Sequence, residues 1–389
     1  MAGLIVRPRA GILHGHDWVY RTEILKVFGD PADGDVVSIK DGRDRLLGTA
    51  IYNSRSVIVA RRISRQRQSL DGDFFRRRIA QASEVRDRAG CRRDLRRVVW
   101  SESDGLPGII ADQYGDTAVL QTLTLAMDNH KAEVAAALME TLGIRGVIER
   151  NDAPVRAAEG MEPANGILAG EPQALQTVEI GGVIFEIDLL AGQKTGFYLD
   201  QVANYAAVAS HAAGRRVLDC FSNQGGFALA CARAGAAAVV AVESGAESFE
   251  RLKANAARNN LDIRCERADV ADYLRRAERS GEKYDLVILD PPSFTKTKGK
   301  LHDAMRGYRD LHVRAGALLE PGALLATFSC SHHVDEAAFL DTIRGGLSDA
   351  RRSARIVDEY RQAPDHPIVL HLPETFYLKG FLLGMMPGR

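Results

Sequence analysis

The sequence predicts an α/β chain whose C-terminal part is a doubly wound, mostly parallel sheet, preceded by a small β-barrel and an α+β segment. Three observations carry that expectation. From about residue 214, apolar β-runs alternate with helical stretches, the rhythm of βαβ units. Residues 1–70 read as short alternating runs between turn residues. Residues 71–175 mix the two periods. At 389 residues the chain exceeds one ordinary core, so the division expected is 1–70, 71–175 and 176–389.

In the first segment, "DVVSI" alternates, "KDGRD" supplies a turn, and "LLGTAIY" and "SVIVARRI" are strand-like. "HGHDWVYRTEI" sets Trp18 and Tyr20 beside His14, His16 and Arg21. Aromatic faces next to cations suit RNA bases and phosphates, which makes Trp18 a substrate-binding candidate. A plug for the barrel core explains Trp18 equally well.

The second segment opens with "DFFRRRIAQASEVRDRAG", a helical period over 73–90 stopped by Gly90. "RRVVWSESD", "IIADQYGDTAVLQTL" with its Tyr-Gly-Asp turn, a helix near 129–142 and "GVIERND" follow, read as strand, strand, helix, strand. "VEIGGVIFEIDLL" reads as a hairpin turned at Gly181-Gly182.

Composition narrows the class. Apolar and charged fractions of 46% and 26% are those of a globular protein. No apolar run reaches the roughly 18 residues of a membrane span, and "MAGLIVRPRA" lacks a secretory apolar region. Five scattered cysteines without a CxxC spacing argue for reduced thiols and a cytoplasmic location. Net charge is zero, yet residues 1–100 carry 21 Lys+Arg against 12 Asp+Glu and the remainder 30 against 39. A basic module of this kind suggests a polyanion partner, whose binding should weaken with salt. Solvated helix faces account for the same skew.

The third segment runs "RRVLDCF", a helix from 225, "AAVVAVE", a helix at 246–260, "IRCERAD", a helix, "YDLVILD", a helix and "GALLATFSC". Ligands on such sheets bind beyond the C-terminal strand ends, and acids stand there. Asp219 closes the first strand, before the glycine-rich turn at Gly225-Gly226. Glu243, 24 residues on, is placed for ribose hydroxyls, and Asp269 for an adenine amine. Helix N-capping would explain any one of them; three at consecutive strand ends point to a nucleoside cofactor. Without a P-loop lysine signature a triphosphate is disfavoured, and S-adenosylmethionine fits. Asp290 ends the fourth strand, and "DPPSF" makes a stiff rim in which Pro291, Pro292 and Phe294 are candidates for holding a planar base.

The sequence resembles the bacterial large-subunit (23S) rRNA cytosine-C5 methyltransferases over nearly its full length. "SESDGLPGIIADQYGD", "ERNDAPVRAAEGM", "QKTGFYLDQ", "LDCFSNQGGFALA", "LDPPSFTKTKG", "TFSCSHH" and "EYRQAPDHPIVLHLPETFYLKGF" carry the likeness. It implies a PUA domain, a central α+β domain and a class I, Rossmann-like methyltransferase domain with a seven-stranded sheet. It also implies ribosomal RNA as partner, and a homodimer. Lys194, Thr195, Gly196 and Phe197 become cofactor candidates, with Tyr198 and Gln201 behind them. Asp219, Asn223 and Gly225 would lie near the methionine portion, Glu243 at the ribose and Asp269 at the adenine. Asp290 stands among the cofactor-binding candidates as well as the catalytic ones.

Cys330 in "LLATFSCSHH" is the expected nucleophile. Pyrimidine C5 is a poor nucleophile until a thiolate adds at C6. Asp290 would serve N3 of the base, and the Pro291 carbonyl its exocyclic amine. A zinc site of Cys330, His332 and His333 lacks a second ligand cluster, and a structural cysteine is the plain alternative. Cys220 reads as packing, and "DPPSF" offers no second cysteine for product release. The alternative reaction is N-methylation of a purine in RNA by "DPPSF" without covalent catalysis. A non-catalytic RNA-binding factor would need no acids at the strand ends.

Overall fold

Residues 2–191, 195–294, 299 and 301–387 are described by the computed structural model. The chain forms two compact units. One comprises Met1–Gln176, Ile187–Leu199 and Pro364–Thr375, the other Thr177–Glu186, Asp200–Ala363 and Phe376–Arg389. No helix among the described residues is long and apolar enough to cross a membrane.

The first unit begins with a six-stranded sheet, in spatial order Trp18–Tyr20, Ile58–Ser64, Leu46–Tyr52, Val36–Lys40, Gly3–Val6 and Ile24–Phe28. Gly3–Val6 runs parallel to Val36–Lys40 and the other pairs are antiparallel. Leu4, Val6, Val19, Val37, Ile39, Val59 and Ala60 form its core. Val19 is buried there while Trp18 is half-buried, so Trp18 does not plug this core.

Asp71 starts the helix Gly72–Arg88 by accepting the Phe74 N–H at 2.8 Å. The helix buries Phe74, Phe75, Ile79 and Ala82, at the 3.6-residue period, in a core shared with the neighbouring sheet. That sheet has five strands, ordered Ala164–Gly170, Gly146–Asn151, Thr117–Thr122, Ile109–Tyr114 and Leu95–Trp100. The run "IIADQYGDTAVLQTL" is two antiparallel strands turned at Gly115 (φ +58°). Ala164–Gly170 is a strand the sequence does not announce: it carries two glycines and none of its residues is buried, so no apolar period marks it. The hairpin at Gly181-Gly182 is present, with φ of +58° and +77°.

The second unit holds a seven-stranded sheet, labelled here β1 (Arg216–Cys220), β2 (Ala238–Glu243), β3 (Arg264–Arg267), β4 (Tyr284–Leu289), β5 (Leu319–Ser329), β6 (Ala354–Arg361) and β7 (Lys379–Met385). The spatial order is β3-β2-β1-β4-β5-β7-β6. Strands β1 to β5 are mutually parallel, and β7 runs antiparallel to both β5 and β6. Helix α1 (Val202–Ala209) precedes β1, and helices α2 (Gly226–Arg233), α3 (Ala246–Arg258), α4 (Val270–Arg279), α5 (Leu301–Ala317) and α6 (Glu336–Asp349) connect successive strands from β1 to β6. This is the doubly wound α/β class expected, with a seven-stranded sheet. The chain order reverses between β1 and β4, which opens a crevice at their C-terminal ends.

Candidate functional site

Asp219 lies within β1 rather than at its end, and it is fully buried. Its Oδ2 accepts the Ala228 N–H of α2 at 3.0 Å, while Oδ1 has no hydrogen-bond partner among the described residues. Burial first, and the Asp290 and Glu243 charges after it, push this carboxyl up to about 8. A buried carboxyl with an unused oxygen is a place for a cationic or N–H donor group.

The turn from β1 to α2 is wound tightly, with left-handed backbone at Phe221, Asn223 and Gly225. Glu243 ends β2 and takes the Gly245 N–H on Oε1 (2.6 Å) and the Asn223 N–H on Oε2 (2.9 Å). Each oxygen therefore uses one lone pair on the backbone and keeps capacity for hydroxyl donors. Asp269 stands two residues beyond β3 as the N-cap of α4, its Oδ1 accepting the Asp272 N–H at 3.1 Å. The side chain is exposed, so capping and a ligand contact are compatible.

The two glycines of this turn answer to protein packing. A Cβ on Gly226 would stand 2.4 Å from Cζ of Tyr205, and one on Gly225 (φ +95°) 2.7 Å from Leu252. Their lack of a side chain is required by Tyr205 and by the left-handed turn, before any ligand is considered.

At the ends of β4 and β5 the register sets Leu289 opposite Thr327. Asp290 and the buried Pro291 follow β4, and Cys330 follows β5, with its Sγ 4.0 Å from the Pro291 carbonyl oxygen. Pro292 and Phe294 are exposed, and the Phe294 ring meets Tyr308 edge-on at 4.7 Å. Cys330 is partly accessible, whereas Cys220 is sealed in the core, where burial pushes its thiol well up. Among the described residues no three His, Cys, Asp or Glu side chains gather as a metal site. His332 instead stacks on Tyr377 at 5.4 Å.

Several residues join this cluster that sequence reasoning passed over or ranked low. Gln201, just before α1, is buried and donates its Nε2 to Asp290 Oδ2 at 3.1 Å. Its Oε1 accepts from Asn204, which also donates to the Arg361 carbonyl. A chain of hydroxyls runs from Ser329 to Tyr308, on to Ser331 and then to Ser293, in steps of 3.0, 3.1 and 3.0 Å. Burial raises the Tyr308 phenol to about 12, so it works as a neutral hydrogen-bonding group. Serines on both sides of Cys330 were the one sequence signal for this chain. Tyr308 gave none.

Other candidates belong to the first unit. Thr195 is buried and its hydroxyl donates to Asp112 Oδ2 at 2.5 Å, on a carboxylate already bidentate with Arg97. The Phe197 N–H donates to the Tyr114 hydroxyl at 3.1 Å. At Gly196 (φ +121°) a Cβ would crowd Leu189 and Ile187. Lys194 lies outside the described residues. Trp18 donates its Nε1 to Glu102 Oε1 at 2.8 Å, and Arg61 pairs with that carboxylate and lies over the indole at 5.3 Å.

Part of the N-terminal basic excess is consumed internally. Arg62, Arg86, Arg96 and Arg97 are buried and paired with Asp17, Asp104, Asp87 and Asp112. Arg7, Arg9, Arg65 and Arg67 remain exposed.

Against known proteins, the model of an S-adenosylmethionine-dependent methyltransferase family matches residues 89–370, and that of a PUA-like domain matches residues 7–65. The chain is 36% identical over 377 residues to the ribosomal RNA large subunit methyltransferase I of Erwinia tasmaniensis, covering 95% of each chain. It is 38% identical over 387 residues to the protein of that name from Aeromonas salmonicida, covering 98% of each. A solved structure from Streptococcus mutans, assigned as a SAM-dependent methyltransferase, matches with a TM-score of 0.85 at 23% identity, over 99% of this chain and 100% of that one. At that identity the likeness is one of fold.

Proposed function

The chain belongs to the family of S-adenosylmethionine-dependent methyltransferases, alongside the ribosomal RNA large subunit methyltransferases I, and from that premise we propose that it methylates cytosine C5 in large-subunit ribosomal RNA through a covalent adduct at Cys330. The observation that carries the reading is the partly accessible Cys330 thiol, 4.0 Å from the Pro291 carbonyl and beside Asp290 at the sheet's crevice.

The residues present fit the cofactor. Bound S-adenosylmethionine supplies an electrophilic methyl on a sulfonium, with an α-amine and ribose hydroxyls as donors. This chain supplies acceptors: the unused Oδ1 of Asp219, the spare lone pairs of Glu243 and the exposed carboxylate of Asp269. Asp219, Asn223 and Gly225 would hold the methionine portion, Glu243 the ribose and Asp269 the adenine. Lys194, Thr195, Gly196 and Phe197 stay in the proposal as cofactor-binding candidates.

On the substrate side, the Cys330 thiolate adds to C6 of the cytosine, and the electron pair of the C5–C6 double bond makes C5 nucleophilic. Asp290 meets N3, and the Pro291 carbonyl accepts from the exocyclic amine. Gln201 holds the Asp290 carboxylate in place. After methylation the C5 proton leaves and the C6–sulfur bond breaks, returning the thiolate. Trp18 and the exposed arginines of the PUA-like segment would contact the RNA.

Nucleoside mass spectrometry tests this. Unmodified large-subunit rRNA is incubated with isotopically labelled S-adenosylmethionine, digested and analysed. Label in 5-methylcytidine is the expected result. Label in a methylated purine nucleoside would transfer the chemistry to "DPPSF" alone and reduce Cys330 to a packing residue.

A further inference from the structure

Lys379 opens β7 directly opposite Ser329, the last residue of β5 and the neighbour of Cys330. Only 3% of it is exposed. Its Nζ donates to the Ser331 carbonyl at 3.0 Å and the Val334 carbonyl at 2.7 Å, and lies 5.7 Å from the Phe376 ring centre. Among the described residues it forms no ion pair with a carboxylate.

Two carbonyl dipoles solvate a buried ammonium without neutralising it, and burying such a charge is unfavourable. An apolar side chain would fill the space without that cost. Burial pulls the Lys379 ammonium down to about 8; the first charge opposing that pull is Cys330, followed by Asp335 and Glu336 at the start of α6. Asp335 is already the N-cap of α6, accepting from the Ala338 N–H. The titratable groups on the elements next to Cys330 are Asp290 one residue past β4, neutral Tyr308 on α5, His332 and His333 just after Cys330 in the chain, and Lys379 on β7.

We propose that Lys379 is the counter-charge of the Cys330 thiolate, a positioning residue that pins the Ser331–Val334 turn through two carbonyls and keeps the thiol ionised at neutral pH. When the thiol ionises its proton goes to solvent, and the ammonium stays protonated and pairs with the sulfur. The catalytic meaning of the pair rests on the reading of Cys330 as nucleophile; the pair itself does not.

The experiment follows iodoacetamide alkylation of the full-length protein between pH 5.5 and 9.5, quantified on the Cys330 peptide by mass spectrometry. In the wild type the midpoint should lie at least a unit below the ordinary thiol value of about 8.5. Lys379→Met should move it up by about a unit or more, slowing alkylation at pH 7 by roughly tenfold, and Lys379→Arg should restore it. A folded Lys379→Met variant with an unshifted midpoint overturns the proposal. The reciprocal measurement needs no change at 379: Cys330→Ala should lower the Lys379 titration midpoint seen by 13Cε NMR, and no shift overturns the pair. If the alkylation midpoint shifts while Cys330→Ala still methylates rRNA, the pair stands and the nucleophile reading falls. If Cys330→Ala is inactive and the midpoint ignores Lys379, the reverse holds.

Discussion

The Sγ of Cys330 and the carbonyl oxygen of Pro291 stand 4.0 Å apart, each one or two residues past the end of adjacent parallel strands. On the proposed reading, an acceptor for the base's amine and a nucleophile for its ring would share one rim. Substituting Cys330→Ala should lower kcat for rRNA methylation by about a thousandfold or more while the Kd for S-adenosylmethionine changes by less than about twofold. Single-turnover transfer of labelled methyl, alongside calorimetry of the cofactor, checks both halves.

Gln201 donates to Asp290 and is itself oriented by Asn204. Removing it with Gln201→Ala frees the carboxylate to rotate, and a misplaced group costs rate more than binding. The expected outcome is a fall in kcat of roughly tenfold with KM for RNA little changed. Steady-state kinetics would show the opposite split if Gln201 served only to bind RNA.

Asp219 titrates at about 8 in the folded protein, against a carboxylate's usual 3.8. The native state thus holds a proton that the unfolded chain has lost over that window. Its contribution to stability is full below the unfolded value and is lost as pH rises through about 8. Thermal unfolding of the cofactor-free protein should show Tm falling from pH 6 to pH 9, with a visibly flatter dependence in Asp219→Asn. An unchanged slope in that variant would assign the effect elsewhere.

Gly226 faces the Tyr205 ring so closely that a methyl group has no room. Gly226→Ala should destabilise the protein by about 1–3 kcal/mol through overpacking. Adding Tyr205→Ala should recover part of that loss, as chemical denaturation of the single and double variants would reveal.

Arg65 closes the PUA-like segment and Arg67 lies two residues past it, both exposed. If they hold phosphates, replacing both by Gln should reduce the slope of log K against log salt for RNA by about 1.5. Filter binding across a salt series measures it, and an unchanged slope would remove both residues from the interface.

Much of the fold was legible because its signals are local. The βα rhythm after residue 214 depends on period and punctuation, and β1, β2, β4 and β5 lie where an apolar run stands, while the polar β3 follows from the rhythm around it. The strand Ala164–Gly170 was not legible, since a glycine-bearing strand with no buried residue carries no period. The basic skew of residues 1–100 misled in part, because a count of charges does not distinguish Arg86 or Arg97, buried against aspartates, from Arg65 on the surface.

At the site, the sequence by itself determined which residues gather at the C-terminal edge of the sheet: Glu243, Asp290 and Cys330 stand at or just past strand ends and Asp219 one residue inside β1, because a parallel sheet places successive strand ends on one edge. Only the tertiary structure decided what surrounds them. Gln201, Tyr308 and Lys379 reach the Asp290–Cys330 rim from three elements far apart in the chain, and Gly226 answers to Tyr205 rather than to a ligand. The physical reason is that strand polarity follows from local pattern, while the partners of a buried polar atom are chosen by packing between distant segments. No spacing along the chain records that choice.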